Sequence, residues 1–314
     1  MVPPAMLGLI FSRDRAMQLD GVLRSFFLHC SDPDEVRLCV IYKTTSAFHV
    51  RQYAQLAREY AGRAPVRFIE QKQFRRDVLE LLLPQSRDDS ADGFHRLATR
   101  LRAWLGLLGP VWAAGGPPRY VLFLVDDNIF VRRFSLRGIH EELAAHPDAL
   151  GFSLRLGMNT TYCYALDKPQ ALPPFTQLGK QVLKYDWTSA ECDFGYPLEV
   201  SSSIYRLHEL FPFLSRISFD NPNTLEGQLA KRARVFRKSR PHLLCCEQSA
   251  TFCNPVNKVQ TVNKNRARPT PEYSSERLSQ LFDAGFRIKV EAYTGFVPNA
   301  CHQEIELTFE KLEK

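Results

Sequence analysis

The first half of the chain alternates short apolar runs with amphipathic segments, and this rhythm restricts the fold more than any other feature. Four apolar runs predict buried strands, at residues 5–11, 36–42, 66–70 and 120–125. Helical spacing of apolar residues predicts helices between them, over residues 16–30, 46–61, 74–84 and 93–108. Strands separated by helices of this length form βαβ units. The sequence therefore predicts an α/β fold around one mostly parallel mixed sheet.

The second half is less regular. It contains a predicted helix at 135–146, a strand at 150–156, and then an aromatic-rich irregular region, 157–200. Tyrosine and tryptophan in such a region suit sugar stacking or ordinary packing, and both interpretations stay open. Further helices are predicted at 221–238 and 274–284, with a strand at 287–293. No linker divides the chain, which predicts a single domain over residues 1–314.

The composition is that of an ordinary globular protein, with 45% hydrophobic and 24% charged residues among 314. The net charge of +7 suits an acidic ligand: a nucleotide, a nucleic acid or an anionic membrane surface. The excess is local, because Lys231–Arg240 carries six basic residues and no acidic one, and residues 257–268 form a second basic run. A solvated face is the simpler interpretation of either run.

The cysteines and the N-terminus indicate the expected cellular location. Eight cysteines without a C-x-x-C pair argue against a zinc ribbon and favour reduced thiols. No apolar run is long enough to span a bilayer, and the first residues lack the basic start and long apolar core of a secretory signal. A cytoplasmic location is therefore expected, with contact at the inner face of the membrane left open.

The stretch LFLVDDNIFV places Asp126, Asp127 and Asn128 directly after a predicted buried strand. Two adjacent carboxylates there repel each other and lose solvation. A divalent cation, Mg²⁺ or Mn²⁺, would offset that cost, since both prefer hard oxygen ligands. The alternative is an Asx turn or a helix N-cap. Polar residues 12–15, 43–44 and 71–73 also follow predicted strands, so these loops and the Asp pair are expected to converge on one edge of the sheet.

Four motifs, in this order, carry a resemblance to a known family: FSRDR (11–15), VDDN (125–128), DFGYPLEVSSSIYR (193–206) and NPNTLEGQL (221–229). The chain resembles the nucleotide-sugar-dependent glycosyltransferases of GT-A fold, especially bacterial polysaccharide and lipopolysaccharide enzymes, over nearly its whole length. The family motif is usually Asp-any-Asp, and here its third position is Asn128. The resemblance implies a Rossmann-type three-layer fold, with residues 1–134 binding the nucleotide sugar and 135–314 binding the acceptor.

The resemblance also implies an activity: metal-assisted transfer of a sugar from a nucleoside-diphosphate sugar, with UDP-sugars favoured. The acceptor would be the hydroxyl of a glycan or of a lipid-linked glycan, and the cation Mn²⁺ or Mg²⁺. Asp126 would face the ribose and the nucleotide, while Asp127 and Asn128 would hold the metal and His302, near the C-terminus, would complete its site. His242 is the other histidine in view. The expected nucleotide-pocket residues are Phe11, Ser12, Arg13, Arg15 and Lys43.

The general base for an inverting transfer is expected to be a carboxylate. Glu226, near the start of a predicted helix, is the first choice, and Asp193 in the aromatic-rich region is its rival. Glu191 and Glu199 are weaker rivals. Glutamate near a helix start also completes a capping box, so a purely structural role for Glu226 stays open. A retaining mechanism, which needs no such base, is not excluded.

Two other function classes are considered. A sugar-phosphate nucleotidyltransferase also needs Asp and Mg²⁺, but usually carries a Gly-rich loop where this chain has FSRDR. A nucleic-acid-binding protein would interleave basic and aromatic residues, whereas here the aromatic-rich segment is not the basic one, so no nucleic acid partner is predicted. The motifs G-x-S-x-G, G-x-x-x-x-G-K-[ST] and G-x-G-x-x-G are absent, which disfavours hydrolase, P-loop and dinucleotide chemistry.

Overall fold

The structure is a computed structural model that describes residues 5–62, 66–83, 118–179, 181–257 and 271–312. The helix predicted at 93–108 and almost all of the second basic run lie outside these residues. In the described ranges the strands are β1 (Met6–Arg13), β2 (Val36–Lys43), β3 (Val66–Glu70), β4 (Tyr120–Val125), β5 (Asn128–Phe130), β6 (Ala149–Ser153), β7 (Tyr162–Cys163), β8 (Lys168–Pro169), β9 (Thr176–Leu178), β10 (Val182–Asp186), β11 (Ser203–Arg206), β12 (His242–Cys246), β13 (Thr251–Cys253), β14 (Phe286–Ile288) and β15 (Phe309–Lys311). The α-helices there are α1 (Ala16–His29), α2 (Ala47–Tyr60), α3 (Phe74–Leu82), α4 (Leu136–Ala145), α5 (Leu207–Leu214), α6 (Pro222–Ala230) and α7 (Ser275–Asp283).

One nine-stranded sheet, in the order β3-β2-β1-β4-β11-β6-β12-β10-β9, organises the fold. The pairs β3-β2, β2-β1, β1-β4 and β6-β12 are parallel, and the other four are antiparallel. These pairings mean that, among the strands described in this sheet, β11 and β10 run in one direction and the other seven run in the opposite direction. The predicted α/β class with a mostly parallel mixed sheet is confirmed. Strands from both halves of the chain belong to this sheet.

Helices cover both faces of the sheet, which gives three layers. Successive residues of β1 alternate between two cores: Met6 and Ile10 face one, and Leu7, Leu9 and Phe11 face the other. Helices α1, α2, α4 and α7 contribute to the first core, whereas α3, α5 and α6 contribute to the second. A strand buried on both faces reads as a continuous apolar run, and this is why the first strands were visible in the sequence.

The helix predicted over 221–238 is too long. It ends at Ala230, and the chain continues through a turn into a short 3₁₀ segment, Ala233–Phe236. A 3₁₀ turn keeps residues i and i+3 on one side, so the apolar spacing continued although the α-helix did not. The apolar side chains of the segment are buried: Leu225, Leu229, Ala233 and Phe236. Packing inside the domain is thus confirmed, and this apolar side does not face a membrane.

Two further findings concern the rest of the chain. The strand predicted at 287–293 is wrong beyond its beginning, because β14 stops at Ile288 and a 3₁₀ turn, Val290–Tyr293, follows. That turn buries Val290 and Tyr293, which lie three residues apart. Across the described ranges, no helix has both the length and the apolar character needed to cross a bilayer.

Gly151 in β6 offers a test of how tightly the sheet is packed. A Cβ atom there would lie 2.6 Å from the carbonyl oxygen of Ile204 and 2.5 Å from the ring of Tyr205, both in the neighbouring strand. Gly151→Ala is therefore expected to lower the free energy of unfolding by about 1–3 kcal/mol, measured by urea denaturation. Gly227→Ala is the control, because a Cβ there meets nothing within 4 Å and alanine favours a helix. Equal midpoints for both variants would contradict this packing.

Candidate active site

The loops that follow the parallel strands open on one edge of the sheet, the rim. Strands β1, β2 and β4 run in register side by side, so their carboxyl ends meet there. Strand β11 is antiparallel to β4 and begins at the same edge, where Ser203 pairs with Ser153 at the end of β6. Gln71, after β3, donates a backbone hydrogen bond to Tyr42 O in β2. The predicted convergence of these loops with the Asp pair is confirmed by this topology.

Asp126 is held by the loop after β1. Its Oδ2 accepts hydrogen bonds from Ser12 Oγ at 3.0 Å and from the Arg13 backbone N–H at 3.1 Å. Its Oδ1 accepts from Arg15 Nη1 at 2.9 Å. The Asp126 backbone N–H in turn donates to Phe11 O at 3.1 Å. FSRDR and VDDN, more than a hundred residues apart in sequence, therefore form one hydrogen-bonded unit.

Arg15 offsets the charge of the Asp pair. Only 8% of Arg15 is exposed, and its Nη1 also lies 3.8 Å from Asp127 Oδ2. Burial alone would lower the pKa of Arg15, but the carboxylates of Asp126 and Asp127 raise it above its ordinary value. Its Nη2 donates to Asn257 O at 2.5 Å. The charge of Arg15 is therefore used within the protein, and its place in the nucleotide pocket stays a prediction.

Asp127 keeps one oxygen unused. Its Oδ1 is buried and meets no hydrogen-bond partner of good geometry among the described residues, although the Cys253 thiol lies close enough to lower the pKa of Asp127. Burial raises the pKa of Asp127, the Arg15 charge opposes this, and the neighbouring Asp126 charge adds to it. A buried oxygen without a partner is costly and points to a missing ligand. A divalent cation fits this atom, since carboxylate oxygen is the ligand type that Mg²⁺ and Mn²⁺ prefer.

Asn128 closes the turn after β4. Its Oδ1 accepts from the Val125 backbone N–H at 2.9 Å, and its Nδ2 contacts Cys253 Sγ at 3.4 Å. It is 1% exposed, and its side chain bonds back to Val125 rather than forward to the backbone two residues on, so it does not form the Asx turn considered for this tripeptide. Asn128 as a metal ligand remains a prediction, now with its amide engaged in the turn.

His302 lies beside the same turn. It forms a backbone bridge with Cys253, whose strand β13 pairs with β5 at Asn128. Burial, assisted by the Arg155 charge, lowers the pKa of His302 to about 4, so its imidazole is neutral at pH 7, the form that ligates metals. Within the described ranges no three His, Cys, Asp or Glu side chains already form a metal centre. His242 starts β12, at the opposite edge, beside Asp148.

The other predicted nucleotide residues lie in different environments. Phe11 is buried, and its ring packs on Phe74 and Phe123 in the core, so its role in the nucleotide pocket stays a prediction. Arg13 stays half-exposed at the rim, where its Nε lies 3.7 Å from Asp14 Oδ2. Lys43 is exposed after β2.

Sequence reasoning missed Asp14, which joins two rim loops. It adopts a left-handed backbone with φ of 54°, uncommon outside glycine but most tolerated by Asp and Asn. Its carboxylate accepts from the Thr45 N–H at 2.8 Å and from Thr45 Oγ1 at 2.9 Å. The acidic residue between the two arginines of FSRDR was the available signal.

Arg155 is the second residue that the sequence reasoning missed. It follows β6 at the rim, is 4% exposed, and donates from Nη1 to Ser201 Oγ at 2.8 Å. Its Nη1 lies 3.7 Å from Glu199 Oε2, and its Nε has no partner among the described residues. A charge directly after a buried apolar strand, as in LGFSLRL, was the same signal that identified the Asp pair.

The Glu199 carboxylate is engaged by hydrogen bonds and by the Arg155 charge, so it is not available as a general base. The Ser201 hydroxyl and the Ser203 hydroxyl both donate to its carboxylate. Burial alone would raise the pKa of Glu199, but Arg155 and these hydroxyls hold it below its ordinary value. Glu199 therefore stays ionised as the partner of Arg155, which makes it a poor proton acceptor.

Glu226 has no capping role. The capping box of α6 is formed by Asn221 and Thr224, each side chain accepting from the other's backbone N–H. The Glu226 carboxylate instead accepts from the Val200 N–H at 3.0 Å and from the Tyr196 hydroxyl at 3.3 Å. Burial raises its pKa, Arg155 opposes this, and the Glu199 charge adds to it. The capping-box alternative raised for Glu226 is thereby removed, and its role as base stays a prediction.

Asp193 remains the rival. Its Oδ2 accepts from Gln170 Nε2 at 3.2 Å, and its backbone N–H donates to Gln170 Oε1 at 3.0 Å. Burial raises the pKa of Asp193, and the Arg155 charge lowers it. The same arginine therefore lowers the pKa of both candidate bases, Asp193 and Glu226. Glu191 is exposed to solvent.

The two parts of the site are connected through β13. Cys253 contacts the Asn128 amide, and its backbone N–H donates to Cys301 O at 2.9 Å. The Cys301 thiol in turn contacts Arg155 O at 3.9 Å. The Asp pair and the Arg155 group therefore share one packed framework at the rim. This arrangement places a carboxylate oxygen without a hydrogen bond on one side and a carboxylate with a raised pKa on the other.

Comparisons with known proteins give one significant relative by sequence. No protein-family model matches the chain. The bifunctional glycosyltransferase pgtA of Dictyostelium discoideum is 23% identical over 283 residues, which cover 82% of this chain and 32% of that protein. The chain thus spans about a third of the length of the curated relative it matches. At the level of a protein named a glycosyltransferase, this relative agrees with the resemblance stated from the motifs.

Solved structures show weaker likeness. TarS of S. aureus in complex with UDP-GlcNAc is 14% identical with a TM-score of 0.44, covering 85% of this chain and 62% of TarS. The mannosyltransferase PcManGT from Pyrobaculum calidifontis, in complex with GDP-Man and Mn²⁺, is 12% identical with a TM-score of 0.37, covering 78% and 57%. At TM-scores below 0.5, this likeness assigns neither a ligand nor an activity to the chain.

Proposed function

We propose that this chain is a glycosyltransferase that moves a sugar from a nucleoside-diphosphate sugar, UDP-sugars first, to a hydroxyl of a free or lipid-linked glycan. One observation carries the proposal. The rim holds a buried carboxylate oxygen without a hydrogen bond, on Asp127, and a partly buried glutamate with a raised pKa, Glu226. The order of the four motifs and the relative named a glycosyltransferase support it.

Residues 1–134 are proposed to bind the donor, and residues 135–314 the acceptor. The Asp pair and the loop that holds it belong to the first part, and the carboxylates around Arg155 to the second. Asp127 would hold Mn²⁺ or Mg²⁺ through Oδ1, with Asn128 and His302 as further predicted ligands. When bound, such a cation neutralises the diphosphate as it leaves. Arg13, half-exposed at the rim, is proposed to contact the nucleotide.

The proposed transfer is a single displacement with inversion. The acceptor hydroxyl oxygen attacks the anomeric carbon, its proton passes to a Glu226 carboxylate oxygen, and the bond from the anomeric carbon to the diphosphate breaks. The Val200 N–H and the Tyr196 hydroxyl orient that carboxylate. Burial raises its pKa and so makes it a better proton acceptor, while Arg155 limits the shift.

The test is a donor screen. The purified chain is incubated with UDP-, GDP- and CDP-sugars, Mn²⁺ and a panel of neutral and charged sugars, and nucleoside diphosphate release is measured. We expect one diphosphate to be released, faster with an acceptor than without. Binding of no nucleotide under any condition would overturn the proposal. Pyrophosphate formed from a nucleoside triphosphate and a sugar phosphate would instead make the chain a nucleotidyltransferase.

The raised pKa of Glu226 predicts a pH dependence. Transfer needs the ionised carboxylate, so activity is lost as the pH falls through the raised pKa, above the ordinary glutamate value of 4.5. Tyr196→Phe removes a hydrogen bond that lowers this pKa and should move the acid limb of kcat/KM to higher pH. Tyr120→Phe, at the start of β4, is the control and should leave the limb in place. An acid limb at or below 4.5 in the wild type would contradict the assignment.

A further inference from the structure

A small cavity lies next to the candidate base. Its volume is about 230 Å³, it is partly open to solvent, and it is lined by the loop 187–197, by Ala230 and by the first part of the basic segment, defined as Lys231–Arg240. Arg234 and Arg237 line it, and no acidic side chain does. The volume is below the roughly 300–1,000 Å³ of pockets for drug-sized ligands, so it suits one small group rather than a donor nucleotide.

The cationic groups at this cavity are largely unused within the described part of the chain. The Arg234 guanidinium has no hydrogen bond or ion pair there, whereas Arg240, at the end of the segment, is paired with Glu209 at 2.5 Å. Arg237 donates from Nη2 to Thr188 O at 2.6 Å, and its other N–H groups have no partner in the same residues. Guanidinium groups with free N–H donors match phosphate and carboxylate oxygens.

The walls of the cavity are fixed before any ligand arrives. Trp187 lines the cavity, is buried, and donates from its indole N–H to Arg240 O at 2.7 Å. A Cβ atom at Gly195, also in the lining, would collide with the carbonyl oxygen of Ala190, so the loop is closely folded. Together with the Arg237 bond to Thr188, these contacts hold the loop and the basic segment in one arrangement.

Tyr196 connects the cavity to the proposed chemistry. It lines the cavity, and its hydroxyl donates to Glu226 Oε1 at 3.3 Å. One tyrosine side chain therefore separates a bound group from the candidate base. An acceptor sugar anchored here by one substituent would lie beside Tyr196, the residue that donates to Glu226.

We infer that this cavity is an acceptor subsite for an anionic substituent, a phosphate or carboxylate carried by the acceptor sugar. The inference deepens the proposed function and rests on it. The acceptor is then an acidic glycan, and the unpaired arginines select it over a neutral one. The net charge of +7 agrees with an acidic substrate.

The experiment compares four probes by isothermal titration calorimetry: glucose 6-phosphate, glucuronate, glucose and inorganic phosphate. We expect the two charged sugars to bind at least tenfold more tightly than glucose. Arg234→Gln, which removes no contact described within the protein, should weaken this preference, and Arg234→Gln/Arg237→Gln should abolish it. The matched control is Lys231→Gln/Lys238→Gln, which removes the same charge from the same segment outside the cavity lining and should keep the preference.

Each other outcome overturns the subsite. Equal binding of glucose and the charged sugars shows that no anion is selected, and equal loss in both double variants shows a general charge effect. Inorganic phosphate binding as tightly as glucose 6-phosphate assigns the cavity to a free anion instead. Nucleoside diphosphate binding is measured in the same samples: if it persists, only the subsite fails, and if it is absent, the proposed function fails.

Discussion

Replacing Glu226 with glutamine is expected to lower kcat by about 10²–10⁴-fold while donor affinity stays unchanged. Glutamine keeps an oxygen to accept the hydrogen bonds that the Glu226 carboxylate receives from the Val200 N–H and the Tyr196 hydroxyl. It removes the site that accepts the proton. The capping box of α6 is untouched, because Asn221 and Thr224 form it. The loss should therefore appear in kcat, without a change in thermal stability.

Two companion variants make this result specific. Glu191→Gln changes an exposed carboxylate in the same region and should leave kcat within a few-fold of the wild type. Asp193→Asn tests the rival base, whose carboxylate is bonded to Gln170. A large loss in Asp193→Asn with none in Glu226→Gln would transfer the role of base to Asp193. Full activity in both variants would exclude an inverting transfer that uses either carboxylate.

The sequence predicted the parts of the fold that depend on local patterns. Strands β1 and β4 are buried on both faces, so their apolar runs were unbroken. The end of α6 was missed because the following 3₁₀ segment continues the same apolar side. A pattern of buried positions shows which side of a segment is covered, but it does not show which kind of helix carries that side.

The sequence predicted where the candidate site lies, but not which of its charged side chains form ion pairs. Its loops follow buried strands, and topology alone brings such loops to one edge. Which charges meet there depends on side-chain directions that sequence spacing does not contain. Arg15 and Asp126 lie 111 residues apart and form an ion pair at 2.9 Å, and Arg155 meets Glu199 across 44 residues. The Asp pair of LFLVDDNIFV costs free energy through repulsion and lost solvation. Arg15 therefore offsets part of that cost within the protein.

The part of this cost that Arg15 does not offset lies at Asp127, and it leads to a prediction for Asp127→Asn. With Asp126 already bound by Ser12, Arg13 and Arg15, the Oδ1 of Asp127 is the carboxylate oxygen of the pair left without a partner. If it holds the cation, asparagine should lower metal-dependent nucleotide affinity by at least about 10–100-fold, the range measured when even outer-shell partners of metal ligands are lost. Calorimetric titration of UDP, GDP and CDP, each with and without Mn²⁺, measures this difference.

Stability separates a lost ligand from a damaged fold. Burial raises the pKa of Asp127 in the folded protein, so its ionised form opposes folding at neutral pH, and neutral asparagine should not lower the free energy of unfolding without metal. Asp126→Asn should lower it, because Arg15 then loses its closest carboxylate. Loss of metal-dependent binding in a stable Asp127→Asn protein would show that the Asp pair serves one carboxylate for the fold and one for the cation. Unchanged metal-dependent binding would mean that Asp127 is not a metal ligand and that its buried oxygen has another partner.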